Sequence, residues 1–171
     1  MTDNSPHADP DAFEILGMPV SFRLDPAEVR RRRVRALASL QSDPEAIGVD
    51  PERFNAAQAA LLDPFSRAEI LLARLHAPVV DGRLLPDGFL LEMMEWREEA
   101  DVADAEARTA LRRTALERRR AALEAVGDAF AAALSSGAAS REQAEEIRRS
   151  LNVVRSVDRM IEQLDREDDA A

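Results

Sequence analysis

An all-α fold is what this 171-residue sequence predicts. Three observations carry that expectation. Asp-Pro steps stand immediately before stretches whose apolar residues recur at helical spacing, the chain beyond Pro86 contains no proline, and no stretch alternates polar and apolar residues as a strand would. Apolar residues make up 46% of the chain, enough to fill the core of one domain or of two small ones.

Asp9-Pro10 is expected to open a short helix over Phe13 and Leu16, closed near Gly17 with Pro19 beyond. An Asp in that position accepts from the first free backbone amides, and Pro at the first helical position gives up a donor that has no partner there. Asp25-Pro26 opens a second helix in the same way, with Glu28 as the acid of a capping box. It runs to about Leu40, with Val29, Ala36, Leu37 and Leu40 on one side and Arg30, Arg31, Arg32, Arg33 and Arg35 around the rest. Residues 41 to 48 break the pattern. Asp50-Pro51 opens a third helix bearing Phe54, Ala57, Leu61 and Leu62, and Asp63-Pro64 a fourth bearing Phe65, Ala68, Leu71, Leu72 and Leu75.

A connector is expected over 77–86, where APVVDGRLLPDG, running on to residue 88, places two Pro and two Gly close together. Three helices follow. The first is expected from about 87 to 101 and the second from about 104 to 134, where Leu116, Leu123 and Phe130 recur at seven-residue steps and Gly127 is a weak point without being a stop. Ser135, Ser136 and Gly137 end it. Ser140 with Gln143 forms a capping box for the last helix, whose inner stripe is Ile147, Leu151, Val154 and Ile161. The expected organisation is therefore a disordered tail over 1–8, a helical domain over 9–76, the connector, a three-helix bundle over 87–166 and an acidic tail over 167–171.

Charge and residue types narrow the function. Thirty-three acids against 23 bases give a net charge of −10, which repels a phosphate backbone, so nucleic acid is not an expected partner. Every one of those bases is arginine, a bias that carries no functional weight. Cysteine is absent, His7 and His76 lie far apart, and the isolated Gly17, Gly48, Gly82 and Gly88 form no phosphate-cradling loop. The pairs Glu98/Glu99, Glu145/Glu146 and Asp168/Asp169 lack the apolar enclosure that would split two carboxylates into acid and base. No catalytic residue, metal site or cofactor is expected, and the chain does not read as an enzyme. With no long apolar run and no basic-then-apolar leader, it is expected to be soluble and cytoplasmic, without a membrane partner.

The segment FLLEMMEWREE at 89–99 is the most informative, because at 100° per residue it carries two apolar faces. Phe89, Met93, Trp96, Ala100 and Ala103 share one arc, which suits burial within the domain. Leu90, Leu91, Met94 and Val102 point elsewhere, flanked by Glu95 and Glu98. A small domain gains nothing from large apolar side chains on a second arc, whereas a binding surface needs apolar anchors in a charged rim. A protein partner is expected there, with docking against the first four helices as the competing explanation. Val153 and Met160, seven residues apart on the last helix, either extend that patch or widen the core.

Taken in order, DAFEILGMP at 11–19, FNAAQAALLDPFSRAEILLARLH at 54–76, FLLEMMEWREE at 89–99 and IEQL at 161–164 give the chain a family likeness. It resembles the HscB-type co-chaperones of iron-sulfur cluster assembly. The resemblance implies N-terminal J-domain-like helices packed beside a C-terminal three-helix bundle. It implies two partners, an IscU-like iron-sulfur scaffold protein and a DnaK/HscA-class ATPase chaperone. Chaperone contacts map to Arg30, Arg31, Arg33, Arg35 and Asp43, and scaffold contacts to Leu90, Leu91, Met94, Glu95, Glu98 and Val153. Val102 stands where the family usually has an acid. The family's His-Pro-Asp tripeptide is replaced by Gln41-Ser42-Asp43-Pro44, in which only Asp43 matches in place. Three readings follow: an adaptor that delivers a scaffold to the chaperone, a diverged J-like binding protein without ATPase stimulation, and a structural helical subunit of a larger complex.

Overall fold

The computed structural model describes residues 10–42 and 50–168. Seven helices are seen there: α1 (Ala12–Leu16), α2 (Pro26–Ser42), α3 (Glu52–Leu62), α4 (Pro64–Arg74), α5 (Phe89–Val102), α6 (Ala105–Ser136) and α7 (Arg141–Asp168). Among the described residues there is no strand. The chain divides into two compact units, Met1–Arg74 and Leu75–Ala171.

In the first unit, α3 packs against both α1 and α2, and α4 against α3. The core is aromatic at the α1 end, with Phe13, Phe22 and Phe54 buried beside Val29, Leu61, Leu71 and Leu72. Helix starts follow the Asp-Pro logic at three places. Asp25 accepts from the Ala27 amide at 2.9 Å, Asp50 from that of Glu52 at 2.9 Å, and Asp63 from that of Ser66 at 2.7 Å.

Helix α1 corrects the expectation that Asp9 opens it. The cap is Asp11, whose carboxylate takes the amides of Phe13 at 2.9 Å and Glu14 at 3.3 Å, so Pro10 lies before the cap rather than inside the first turn. Two residues ahead of Phe13 is the position from which a carboxylate reaches the second and third helical amides. The same carboxylate pairs with Arg74 at the end of α4, and Arg74 also holds Glu14 at 2.7 Å. Gly17 closes α1 in the left-handed conformation, φ 59°, where a side chain would be strained.

The second unit is a three-helix bundle built on the α6–α7 pair. Their joint spans only residues 137 to 140, so the helices run antiparallel, and Arg112 meets Asp165 at 2.7 Å while Arg119 meets Asp158, seven residues back on each helix in opposite senses. Ser140 and Gln143 cap α7 reciprocally: the Ser140 amide donates to the Gln143 side chain at 2.8 Å and the Gln143 amide to the Ser140 hydroxyl at 3.1 Å. That capping box is the one the spacing predicts, and α7 carries Ile147, Leu151, Val154, Val157 and Leu164 into the core.

The inner stripe of α6 differs from the seven-residue expectation. Leu111, Ala115, Ala122, Val126, Phe130 and Ala133 are buried, while Leu116 is exposed and Leu123 half-buried. Small residues line most of the seam, which brings two long helices close together and leaves the larger leucines at its edge. Gly127, inside the helix, is buried in that seam.

Candidate functional site

Helix α5 lies on the α6–α7 pair with Phe89, Met93 and Ala100 buried, Trp96 half-buried, and Glu92 paired to Arg118 at 3.3 Å. The Arg118 guanidinium also sits 5.6 Å over the Phe89 ring. Those contacts fix the rotation of α5 and so decide which arc faces outward. On that arc Leu90, Leu91 and Met94 are 66%, 60% and 57% exposed, and Val102 is exposed at the helix end. Glu95 and Glu98 are exposed beside them and have no ion-pair partner among the described residues. The two-faced reading of this helix is what the bundle shows, and the second face is left open by the helices of its own unit.

Between α5 and α7 this face opens into a shallow groove of about 240 Å³, lined by Leu90, Met93, Met94 and Arg97 from α5 and by Ser156 and Arg159 from α7. Arg97, Ser156 and Arg159 were not singled out from the sequence. Arg97 stands three residues after Met94 and was legible by spacing, whereas the α7 residues emerge only once the bundle sets which flank of α7 lies beside α5. Of the residues expected to contact a scaffold, the structure places Leu90, Leu91, Met94, Glu95 and Glu98 on one surface. Val153 is corrected: at 2% exposure it is enclosed in the core of its own unit and offers no surface. It directly follows Asn152, whose side-chain amide donates to the carbonyls of Gly82 at 2.9 Å and Leu84 at 2.8 Å, holding the connector against α7. Met160 is also core.

The basic residues of the first unit lie on α2. Glu28 gathers Arg31 at 2.7 Å and Arg32 at 2.8 Å, and these guanidinium hydrogen bonds, Arg32's first, lower its carboxyl from the ordinary glutamate value. Arg32 also donates to the Gly17 carbonyl at 3.0 Å, so it braces α1 against α2. Arg33 donates to Asn55 of α3 at 2.7 Å and is half-buried. Arg30 and Arg35 are the outward cations, flanking the exposed Val34 in a shallow surface depression with Arg31. The candidate chaperone residues are thus brought onto one helix, but Arg33 serves the fold of its own unit. Asp43 lies outside the described residues.

Among the described residues no group of acids or histidines is placed to hold a metal ion, and no helix is long and apolar enough to cross a membrane. The described residues are those of an all-helical protein with an exposed apolar face on α5 and an exposed basic face on α2. Residues 85–165 match the family model described as the HSCB C-terminal oligomerisation domain. Two curated relatives are Co-chaperone protein HscB homologs, from Bordetella pertussis at 30% identity over 104 residues and from Vibrio atlanticus at 33% over 106. Each match takes in 54% of this chain and 61% of the relative, so the chain spans about three fifths of the length of the curated relatives it matches. Two solved structures share the fold: Chaperone HscB from Vibrio cholerae, with a TM-score of 0.66 and 24% identity over 94% of this chain and 99% of the other, and human co-chaperone protein HscB, with a TM-score of 0.70 and 21% identity over 96% and 85%. The family match takes in just under half of this chain, which is similar to HscB co-chaperones in sequence and in fold. Its relatives carry the names of co-chaperones, not of enzymes.

Proposed function

We propose that this chain is a co-chaperone adaptor whose bundle binds an iron-sulfur scaffold protein and whose first unit docks a DnaK/HscA-class ATPase chaperone. One observation carries the reading: Leu90, Leu91 and Met94 stand exposed on α5 with the acids Glu95 and Glu98 along one flank, within the stretch that matches the HSCB family model. Apolar burial of the three supplies affinity, while Glu95 and Glu98 favour a basic patch on the scaffold and disfavour an acidic one. Arg30, Arg31 and Arg35 suit an acidic surface on the chaperone, with Val34 as an apolar contact among them. Arg33 contributes by holding α2 on α3. The cytoplasm, where cluster assembly and such chaperones meet, is the compartment this reading implies. Any ATP hydrolysis belongs to the partner.

A second reading is favoured by the sequence Gln41-Ser42-Asp43-Pro44, which lacks the family's His-Pro-Asp order. In it the chain docks its partners without stimulating the chaperone. A single-turnover ATPase assay with the chaperone of the same cell separates the two. Stimulation that disappears in Asp43→Asn supports the adaptor, and no stimulation by the unaltered chain supports the diverged binding protein. Calorimetric titration against the scaffold protein tests the part common to both, and a chain that gives no binding there defeats both. A constitutive complex on gel filtration, in place of reversible binding, would instead mark a structural subunit.

A further inference from the structure

Met94 differs from the other methionines among the described residues. Met18, Met93 and Met160 are at most 7% exposed, whereas Met94 is open to solvent and lines the α5–α7 groove. A thioether is readily oxidised, and an accessible one reacts with a peroxide ahead of one enclosed in a core. The sequence contains no cysteine, so no thiol of the chain competes for the oxidant. Accessible two-electron redox chemistry and the apolar docking face therefore meet at a single side chain.

We propose that Met94 is a modification site, at which a peroxide forms the sulfoxide and thereby releases the partner bound in the groove. With hydrogen peroxide the sulfur lone pair attacks one oxygen, and the S–O bond forms as the O–O bond breaks. The hydroxide released takes the proton left on the sulfur-bound oxygen and departs as water. Sulfur loses two electrons and the peroxide gains them. The product places a strong hydrogen-bond acceptor between Leu90 and Leu91 on the helical arc, and covering it with an apolar partner surface strips it of water without a replacement donor. A thiol-dependent sulfoxide reductase returns the thioether, which makes the device reversible. The inference rests on the reading of this groove as the scaffold-docking face.

The experiment treats the full chain with hydrogen peroxide, maps sulfoxides by peptide mass spectrometry, and titrates untreated, oxidised and reductase-repaired chain calorimetrically against the iron-sulfur scaffold protein of the same cell. Met94 is expected to be modified at least tenfold faster than its neighbour Met93, the oxidised chain to bind at least tenfold more weakly, and repair to restore affinity. Met94→Leu keeps the apolar contact without an oxidisable sulfur and should bind equally before and after treatment. Met94→Gln should bind as weakly as the sulfoxide with no treatment at all. Equal modification of Met93 and Met94, undiminished binding by chain oxidised at Met94, or lost binding by treated Met94→Leu overturns the proposal and leaves the docking reading standing. Absence of binding by the untreated chain removes the docking reading and this proposal together.

Discussion

Helices α2 and α5 both present an exposed face, yet they do so with opposite chemistry and different degrees of freedom. On α2 much of the charge is engaged by its own unit: Glu28 holds Arg31 and Arg32, Gly17 takes a further bond from Arg32, and Asn55 takes one from Arg33. On α5 a single acid, Glu92, is drawn inward to Arg118, and the apolar anchors with Glu95 and Glu98 stay outward. Cations close to a fold find local acceptors, because a guanidinium offers five donors in a fixed fork. Apolar side chains that the core cannot reach have no such local outlet, so their exposure is the clearer sign of a missing partner.

The sharpest way to break that contrast is to remove the anchors. Leu91→Ala combined with Met94→Ala should weaken scaffold binding at least a hundredfold, about 3 kcal/mol for two desolvated side chains, while circular dichroism stays unchanged. Intact affinity in the double variant would deny α5 its part.

Val153→Ala asks the reverse question of the same bundle. Because Val153 is core, its truncation should cost about 2 kcal/mol of unfolding free energy by denaturant titration and leave scaffold affinity of the folded chain unaltered. A loss of affinity without a loss of stability would return Val153 to the docking surface.

Within the first unit, Arg33→Ala should lower stability by about 1 kcal/mol, through loss of the Asn55 bond, as seen in thermal melts. Arg30→Ala should leave the melt unchanged and lower chaperone affinity severalfold in a salt-sensitive way, as read by titration at two ionic strengths. Equal melting loss in both would erase the distinction between bracing and outward arginines.

The smallest effect is expected in acid. At Asp11 burial alone would raise the carboxyl, but the Arg74 hydrogen bond and charge and the amides of Glu14 and Phe13 outweigh it. Asp63 behaves likewise, its burial outweighed by bonds from the Ser66 hydroxyl and amide and the Phe65 amide and by the charge of Arg67. Both end below their ordinary value of 3.8. Their contribution is therefore complete above that value and is lost as pH falls below it through the lowered folded values. Melting of Asp11→Asn should trail the unaltered chain at pH 7, with the gap narrowing as pH falls below 3.8, and a gap that stays constant through the acid range would refute the linkage.

Much of this molecule was legible in the sequence because capping and periodicity are local. Asp25, Asp50, Asp63, Ser140 and Gln143 act over two or three residues, and the structure has them capping where the spacing placed them. The two arcs of α5 were legible for the same reason, since side-chain direction on a helix follows residue number. Asp11 was missed in favour of Asp9 because two acids flank Pro10, and the choice between them is made by Arg74, sixty-three residues away. The Leu116 stripe failed because a seven-residue repeat of large residues competes with one of small residues, and helix–helix distance selects the small ones.

By itself the sequence determined the helical class, the caps that start α2, α3, α4 and α7 and the doubled apolar face of α5, because each depends on residues within a turn or two of one another. Only the tertiary structure decided that Val153 is enclosed, that Arg33 braces α3, and that Arg97 and Arg159 line one groove with Met94. Those outcomes depend on how each helix is rotated about its axis within its unit. That rotation is set by the sum of many small packing contacts distant in sequence, and no spacing along the chain encodes it.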